Sequence, residues 1–291
     1  MATSVFNRLK KYKNVKIIVF GGSGFLGSHL VNKLDADEIA YFSLDKGNSI
    51  TRENAVWIKG DVTDYAKVAE AVKDADIAMF AVEDWNADEK RNREVLLGGI
   101  KNVVNAVKAN NTDQKVVSFS IINQPSYPLE FFRTKRLVED NTRVLKNGLV
   151  IRLSFLFGEG DHFTDRFRKL SDKVSHLSPE GNLAPVYVDD VVTVVNSILK
   201  REGVYDICSN DNLPLLKILN YIRKMNGKKE IGETKLEKSI SSVIETGLFS
   251  EYEAHLLFQD YYRETNILDR YVKDPLSYLD FLRGISVAHT T

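Results

Sequence analysis

The chain is poor in cysteine, in net charge and in long apolar runs, and each shortage excludes something. A single cysteine, Cys208, among 291 residues rules out an internal disulfide; it reads as a small apolar packing residue on a strand. Acidic and basic residues number 40 each, so no overall field draws the chain toward nucleic acid or an anionic membrane. No apolar stretch approaches the roughly 18 residues of a membrane-crossing helix. There is no Gly-x-Ser-x-Gly nucleophile elbow. The histidines His29, His162, His176, His255 and His289 are scattered, with no paired spacing and no cysteine partner, so no metal site is expected. Acid is missing from the N-terminus. No Asp or Glu precedes Asp35, while Arg8, Lys10, Lys11, Lys13 and Lys16 crowd the approach to the first strand. With Val5, Phe6 and Leu9 as an apolar stripe, residues 1–13 form a basic arm. It reads equally as the remnant of a mitochondrial targeting segment, as an arm that touches a partner, or as a solvated tail.

What is present is concentrated near residue 20. A β-branched run, Val15 to Phe20, stops at Gly21-Gly22-Ser23-Gly24-Phe25-Leu26-Gly27, and an amphipathic helix pattern follows at once. Gly21 suits a sharp turn, Gly24 a close approach of backbone to phosphate, and Gly27 a helix lying close to the sheet. The helix N-terminus supplies free N–H groups and partial positive charge to a pyrophosphate.

Strand and helix then alternate. Strands are predicted near 15–20, 38–44, 55–58, 76–82, 115–119 and 149–153, and helices near 24–34, 64–73, 88–110 and 129–146. Short links between them argue a doubly wound parallel α/β sheet with ligands at the carboxyl ends of its strands. On this reading residues 14–154 are a dinucleotide-binding core and 155–291 a small, mostly helical C-terminal lobe, with 184–208 returning to the core. Asp45 lies about 20 residues beyond the glycine turn, where a carboxylate accepts from ribose hydroxyls; Lys46 beside it would instead hold a 2′-phosphate. NAD and NADP both remain open. Asp61 and Val62 follow the third strand, where a carboxylate and the next N–H suit adenine. Asp64 starts the next helix as a cap. Ala81 and Val82 close the fourth strand with small side chains that leave room for a flat ring. Farther on, Asp189 or Asp190 caps a helix that runs to about 200. Arg166, Arg168 and Lys169 with Phe163 and Phe167 have two readings: the group faces a cleft or a neighbour, or, as favoured, the phenylalanines pack and the bases are solvated. Residues 213–285 look mostly helical, and their many aromatics suit a core or a docking surface.

Phe20 to Gly27, Asp61-Val62, Ser120 just beyond the fifth strand, Lys135 in the following helix and Pro185 to Val191 together resemble an extended or atypical short-chain dehydrogenase/reductase. Within that superfamily the chain is most similar to the nucleotide-binding accessory subunits of mitochondrial complex I and their bacterial relatives. Asp84-Trp85, Phe132-Arg133-Thr134-Lys135 and Phe157-Gly158 with Asp161, Phe163 and Phe167 carry that likeness. The resemblance implies a bound NAD(P)(H), with Ser120 (or Ser118 in another register) and Lys135 as the surviving active-site residues and Leu153 at the end of the sixth strand near the cofactor. It also implies partner subunits of a respiratory assembly on the matrix side of the inner membrane, with room for peripheral membrane contact and with a cytoplasmic location as the alternative.

The departures are chemical. Active members place a Tyr one helical turn before the Lys, and its phenol trades a proton with the substrate; here that residue is Phe131. The helix Asn of the proton relay falls at Leu96, and the Pro after the strand-six Arg is Leu153. Tyr127, directly before Pro128, is the nearest phenol. Three readings follow. The first is a catalytically silent, nucleotide-binding structural subunit. The second is an active reductase or isomerase using Lys135 as base. The third is a redox sensor or RNA-associated protein on the same fold.

Overall fold

The computed structural model describes residues 15–84, 89–110, 113–122 and 130–284; the basic arm, Trp85, Tyr127 and His289 lie outside the described residues. In chain order the elements are β1 (Lys16–Phe20), α1 (Phe25–Lys33), β2 (Glu38–Ser43), β3 (Ala55–Lys59), α2 (Tyr65–Val72), β4 (Ile77–Phe80), α3 (Glu89–Arg93), α4 (Gly99–Ala109), β5 (Lys115–Ile121), α5 (Glu130–Arg143) and β6 (Leu149–Leu153). There follow β7 (Leu156–Phe157), α6 (Thr164–Lys173), β8 (His176–Leu177), β9 (Val186–Tyr187), α7 (Val188–Ile198), β10 (Gly203–Ile207) and α8 (Leu215–Met225). The last elements are β11 (Gly232–Glu233), α9 (Leu236–Glu245), α10 (Glu251–Leu256) and α11 (Tyr278–Leu282).

Seven strands form one Rossmann-like sheet in the order β10-β6-β5-β4-β1-β2-β3. β1 pairs in parallel with both β2 and β4, β2 with β3, and β4 with β5. The order runs one way from β1 to β3 and the other way from β4 to β6. The reversal at β1 and β4 opens a crevice at the carboxyl ends of those strands. Continuous apolar runs suit strands covered on both faces: β4 is buried throughout, and β1 from Ile17 onward. β3 is the edge, and its Val56 is 60% exposed.

Contacts divide the chain into two compact units, one drawn from residues 1–119, 134–150 and 199–203, the other from 120–133, 151–198 and 204–291. In the first, Asp64 caps α2 by accepting from the Lys67 N–H at 3.3 Å, and Val68 and Val72 are buried where α2 packs on α4. The single helix expected over 88–110 is interrupted by a π turn at Glu94–Gly98. Val95, Leu96 and Leu97 are buried within this wider turn. Among the buried residues of α5, Lys135, Val138, Glu139 and Thr142 form a helical stripe that carries polar groups inward.

The second unit departs from expectation in three places. α7 begins at Val188, so Asp189 and Asp190 lie inside its first turn rather than at its cap, and Asp190 accepts from the Leu276 N–H at 3.1 Å. Residues 257–277 are largely irregular, so the tail is less helical than its composition suggests. Arg166 is not solvated. It forms a two-pronged ion pair with Glu253 (2.7 and 2.9 Å) and stacks over the Phe249 ring at 4.0 Å. Phe163 and Phe167 are buried as expected, and Arg168 does remain half-exposed, paired with Asp165. Cys208 is buried just beyond β10, and burial pushes its thiol up to about 11.

Glu253 also closes the capping box of α10 with Ser250. Burial pushes this carboxyl up, but hydrogen bonds from His162, Arg166 and the Ser250 N–H outweigh burial and hold it at about 2. Its contribution is therefore complete above the ordinary carboxylate range and is lost as pH falls toward 2, and it is worth on the order of 3 kcal/mol. Glu253→Gln should lower the urea unfolding midpoint at pH 7. The gap from the unaltered chain should close progressively below about pH 4.5, a convergence that denaturant titrations across pH will register.

Candidate functional site

The crevice at β1 and β4 is built from close backbone approaches. Gly21 ends β1 with φ +77°, and its N–H donates to the Phe42 carbonyl at 2.9 Å. A Cβ on Gly21 would meet the Ala81 carbonyl at 2.7 Å, and one on Gly27 the Gly21 carbonyl at 2.1 Å. Neither position admits a side chain without moving backbone. Gly24 differs: it is exposed, and a Cβ there would meet the Gly21 oxygen at 3.3 Å and nothing else nearby. It is the N-cap of α1, whose N-terminus has no side-chain cap and no acidic residue in its first turn. Exposed backbone at an uncapped helix start, with Gly22, Ser23, Phe25 and Leu26 around it, is a donor set that fits a pyrophosphate.

The adenine-side residues stand on loops beside this turn. Asp45 and Lys46 are exposed just past β2. The Asp45 carboxylate accepts from the Gly47 N–H at 3.1 Å, and a Cβ on Gly47 would lie 2.9 Å from the Cβ of Ser23. The loop after β2 is thus seated against the glycine turn. Asp61 already has protein partners on both oxygens: Thr63 N–H and hydroxyl on one, and Arg91 at 2.9 Å on the other. Burial pulls its carboxyl upward, but those hydrogen bonds prevail and hold it below the usual range. Val62 is buried, and its carbonyl accepts from Asn102 at 2.9 Å.

β4 ends at Phe80, so Ala81 and Val82 lie beyond the strand rather than closing it, half-buried at its carboxyl end. The next residue, Glu83, was not singled out from sequence. Its carboxylate is paired with the Lys135 ammonium, whose side chain is 7% exposed against 25% for Glu83. The signal that would have found it is position alone: an acid at the carboxyl end of a strand flanking the switch point.

Lys135, the glycine turn, Asp45, Asp61, Ala81 and Val82 fall within the first unit, whereas Ser120, Phe131 and Leu153 belong to the second. Ser120 sits inside β5, not beyond it, because that strand continues to Ile121. Ser118 is fully buried and accepts from the Thr142 hydroxyl at 2.8 Å. The Leu153 carbonyl accepts from the Ile122 N–H at 3.0 Å. Phe131 is buried, its ring centroid 5.6 Å from those of both Phe132 and Tyr252. Leu96 is buried in the π turn. Among the described residues no group of three His, Cys, Asp or Glu side chains is arranged to hold a metal, and no helix is long and apolar enough to cross a membrane.

Residues 21–142 match a family model described as NAD(P)H-binding. The chain is 22% identical over 211 residues to the mitochondrial NADH dehydrogenase (ubiquinone) 1 alpha subcomplex subunit 9 of Dictyostelium discoideum, covering 66% of this chain and 59% of that protein. It is 27% identical over 225 residues to an uncharacterized protein, 052L, of Frog virus 3 (isolate Goorha), covering 61% and 63%. The chain thus spans about six-tenths of the length of these curated relatives. Among solved structures, dTDP-glucose 4,6-dehydratase DesIV of Streptomyces venezuelae with NAD bound superposes with a TM-score of 0.70 at 17% identity, covering 92% of this chain and 95% of that one. UDP-glucose 4-epimerase of Thermotoga maritima gives 0.69 at 16%, covering 92% and 96%. The chain therefore shares the Rossmann-like fold of these enzymes, and its residues 21–142 match an NAD(P)H-binding domain.

The geometry separates two kinds of glycine. Gly27→Ala should destabilise the chain without any ligand, by about 1–3 kcal/mol for an overpacked contact. Gly24→Val should leave unfolding within about 1 kcal/mol of the unaltered chain yet weaken dinucleotide binding at least tenfold. Urea unfolding and calorimetric titration of the two variants measure both quantities.

Proposed function

We propose that this NAD(P)H-binding chain holds its dinucleotide without turning it over and serves as an accessory subunit of a respiratory assembly, the matrix arm of complex I. The observation that carries the reading is the side chain at position 131. An active relative would present a phenol one turn before Lys135; Phe131 has no proton to trade and is packed between aromatic rings. Lys135 is engaged by Glu83. The open Gly24 and the uncapped start of α1, by contrast, support a pyrophosphate at the glycine turn.

When bound, the dinucleotide would supply a nicotinamide capable of hydride transfer. The residues proposed to hold it are the Gly21–Gly27 turn at the phosphates, Asp45 or Lys46 at the adenine ribose, Asp61 and Val62 at adenine, and Ala81, Val82, Ser120, Lys135 and Leu153 toward the nicotinamide. The assembly role is supported by the similarity to the Dictyostelium subunit. A matrix-side location belongs to the same reading.

Two measurements test it. Mass analysis of the small molecules released from purified protein should find NAD(H) or NADP(H) near one per chain, and affinity capture from cells should return respiratory subunits. With reduced cofactor and carbonyl substrates, absorbance should stay flat. Steady oxidation that persists in Phe131→Ala and disappears in Lys135→Ala would instead establish an active reductase with Lys135 as base.

A further inference from the structure

Glu83 and Lys135 form a charged pair on the side of the sheet that the adenine does not use. β1 lies between β2 and β4. The ribose carboxylate candidate, Asp45, follows β2, so the other half of an extended dinucleotide must run over the ends of β4 and β5. Glu83 follows β4 directly, and Lys135 is carried by α5, the helix after β5. The pair is largely withdrawn from water, with the lysine side chain 7% and the glutamate 25% exposed, so its field is weakly screened.

A nicotinamide ring is a cation when oxidised and neutral when reduced. Beside it, an ammonium alone would repel the oxidised ring and leave the reduced one indifferent. A carboxylate on the same ammonium cancels that repulsion. We infer that Glu83 sets the redox preference of this site: by neutralising Lys135, it lets the chain keep the oxidised dinucleotide as well as the reduced one. The inference rests on the dinucleotide-binding reading above and concerns a residue that reading does not use. It gives the missing acid a companion feature, since a chain that holds a cofactor without turning it over must tolerate whichever oxidation state it meets.

The test is calorimetric titration of the intact chain with NAD+, NADH, NADP+ and NADPH, comparing Glu83→Gln, which keeps shape and removes charge, with Glu83→Asp, which keeps charge. In Glu83→Gln the ratio of oxidised to reduced dissociation constants should rise at least about tenfold, as expected for one elementary charge acting through an effective dielectric of about 20. The rise should persist as salt is added, because the pair is withdrawn from water. Glu83→Asp should hold the ratio of the unaltered chain. An unmoved ratio in Glu83→Gln, or the same rise in Glu83→Asp, overturns the inference while leaving dinucleotide binding intact. Failure of the unaltered chain to bind any of the four overturns the binding reading itself and this inference with it.

Discussion

A Cβ on Gly27 would stand 2.1 Å from the Gly21 carbonyl, and one on Gly21 would stand 2.7 Å from the Ala81 carbonyl. These backbone approaches bring the end of β1, the start of α1 and the segment leaving β4 to one spot. The ligand side of the first unit follows from them. α1 begins at the sheet rim with its N–H groups uncapped, and the loop carrying Asp45 is seated on Ser23 through Gly47. Ala81 is held against the turn, which fixes where Glu83 emerges two residues later. The site is a consequence of steric exclusion at a few glycines rather than of strong attraction among its polar groups.

A balanced net charge conceals unequal pairing. Exposed pairs such as Lys228 with Asp172, both about half-exposed, contribute little, of order 0–1 kcal/mol. Removing one partner of a buried pair such as Arg166 with Glu253 costs more, roughly 3–5 kcal/mol, because the survivor keeps its charge in a poorly solvated place. The pairs worth attention therefore sit where a helix turns polar groups inward. α5 does this with Lys135, and α6 does it with Arg166. In each case the acid arrives from a distant stretch of sequence.

Distance along the chain is also what limited the reading from sequence. Features encoded locally were legible: the glycine turn, the alternation of strand and helix, and the Asp64 cap. Features requiring a remote partner were not. Arg166 reads as solvated because nothing near it in sequence identifies Glu253 as its counterpart, and Glu83 goes unmarked because its partner on α5 is far downstream. Local periodicity failed in two informative places. Val95, Leu96 and Leu97 lie in a π turn, which a regular helical period does not express. Asp189 and Asp190 look like caps by residue type, yet α7 starts one residue earlier and uses Asp190 to accept from the distant Leu276.

Position 131 shows what is gained when a proton donor is dispensed with. Phe131 is 6% exposed and lies between Phe132 and Tyr252. A phenol placed there would add a hydroxyl to a side chain that is already buried. Unless it found a partner, that hydroxyl would cost about 1–3 kcal/mol of desolvation. An active enzyme accepts such a cost because the reaction needs the group. A chain whose cofactor serves as a ligand does not, and the benzyl ring contributes packing instead. The dinucleotide still has value there: a ligand that binds only the folded state stabilises it by roughly 4 kcal/mol at a thousandfold over its dissociation constant. On the proposed reading, a benzyl ring at position 131 and an open phosphate cradle are parts of one arrangement, in which cofactor binding supports the fold and the residue beside it does the same.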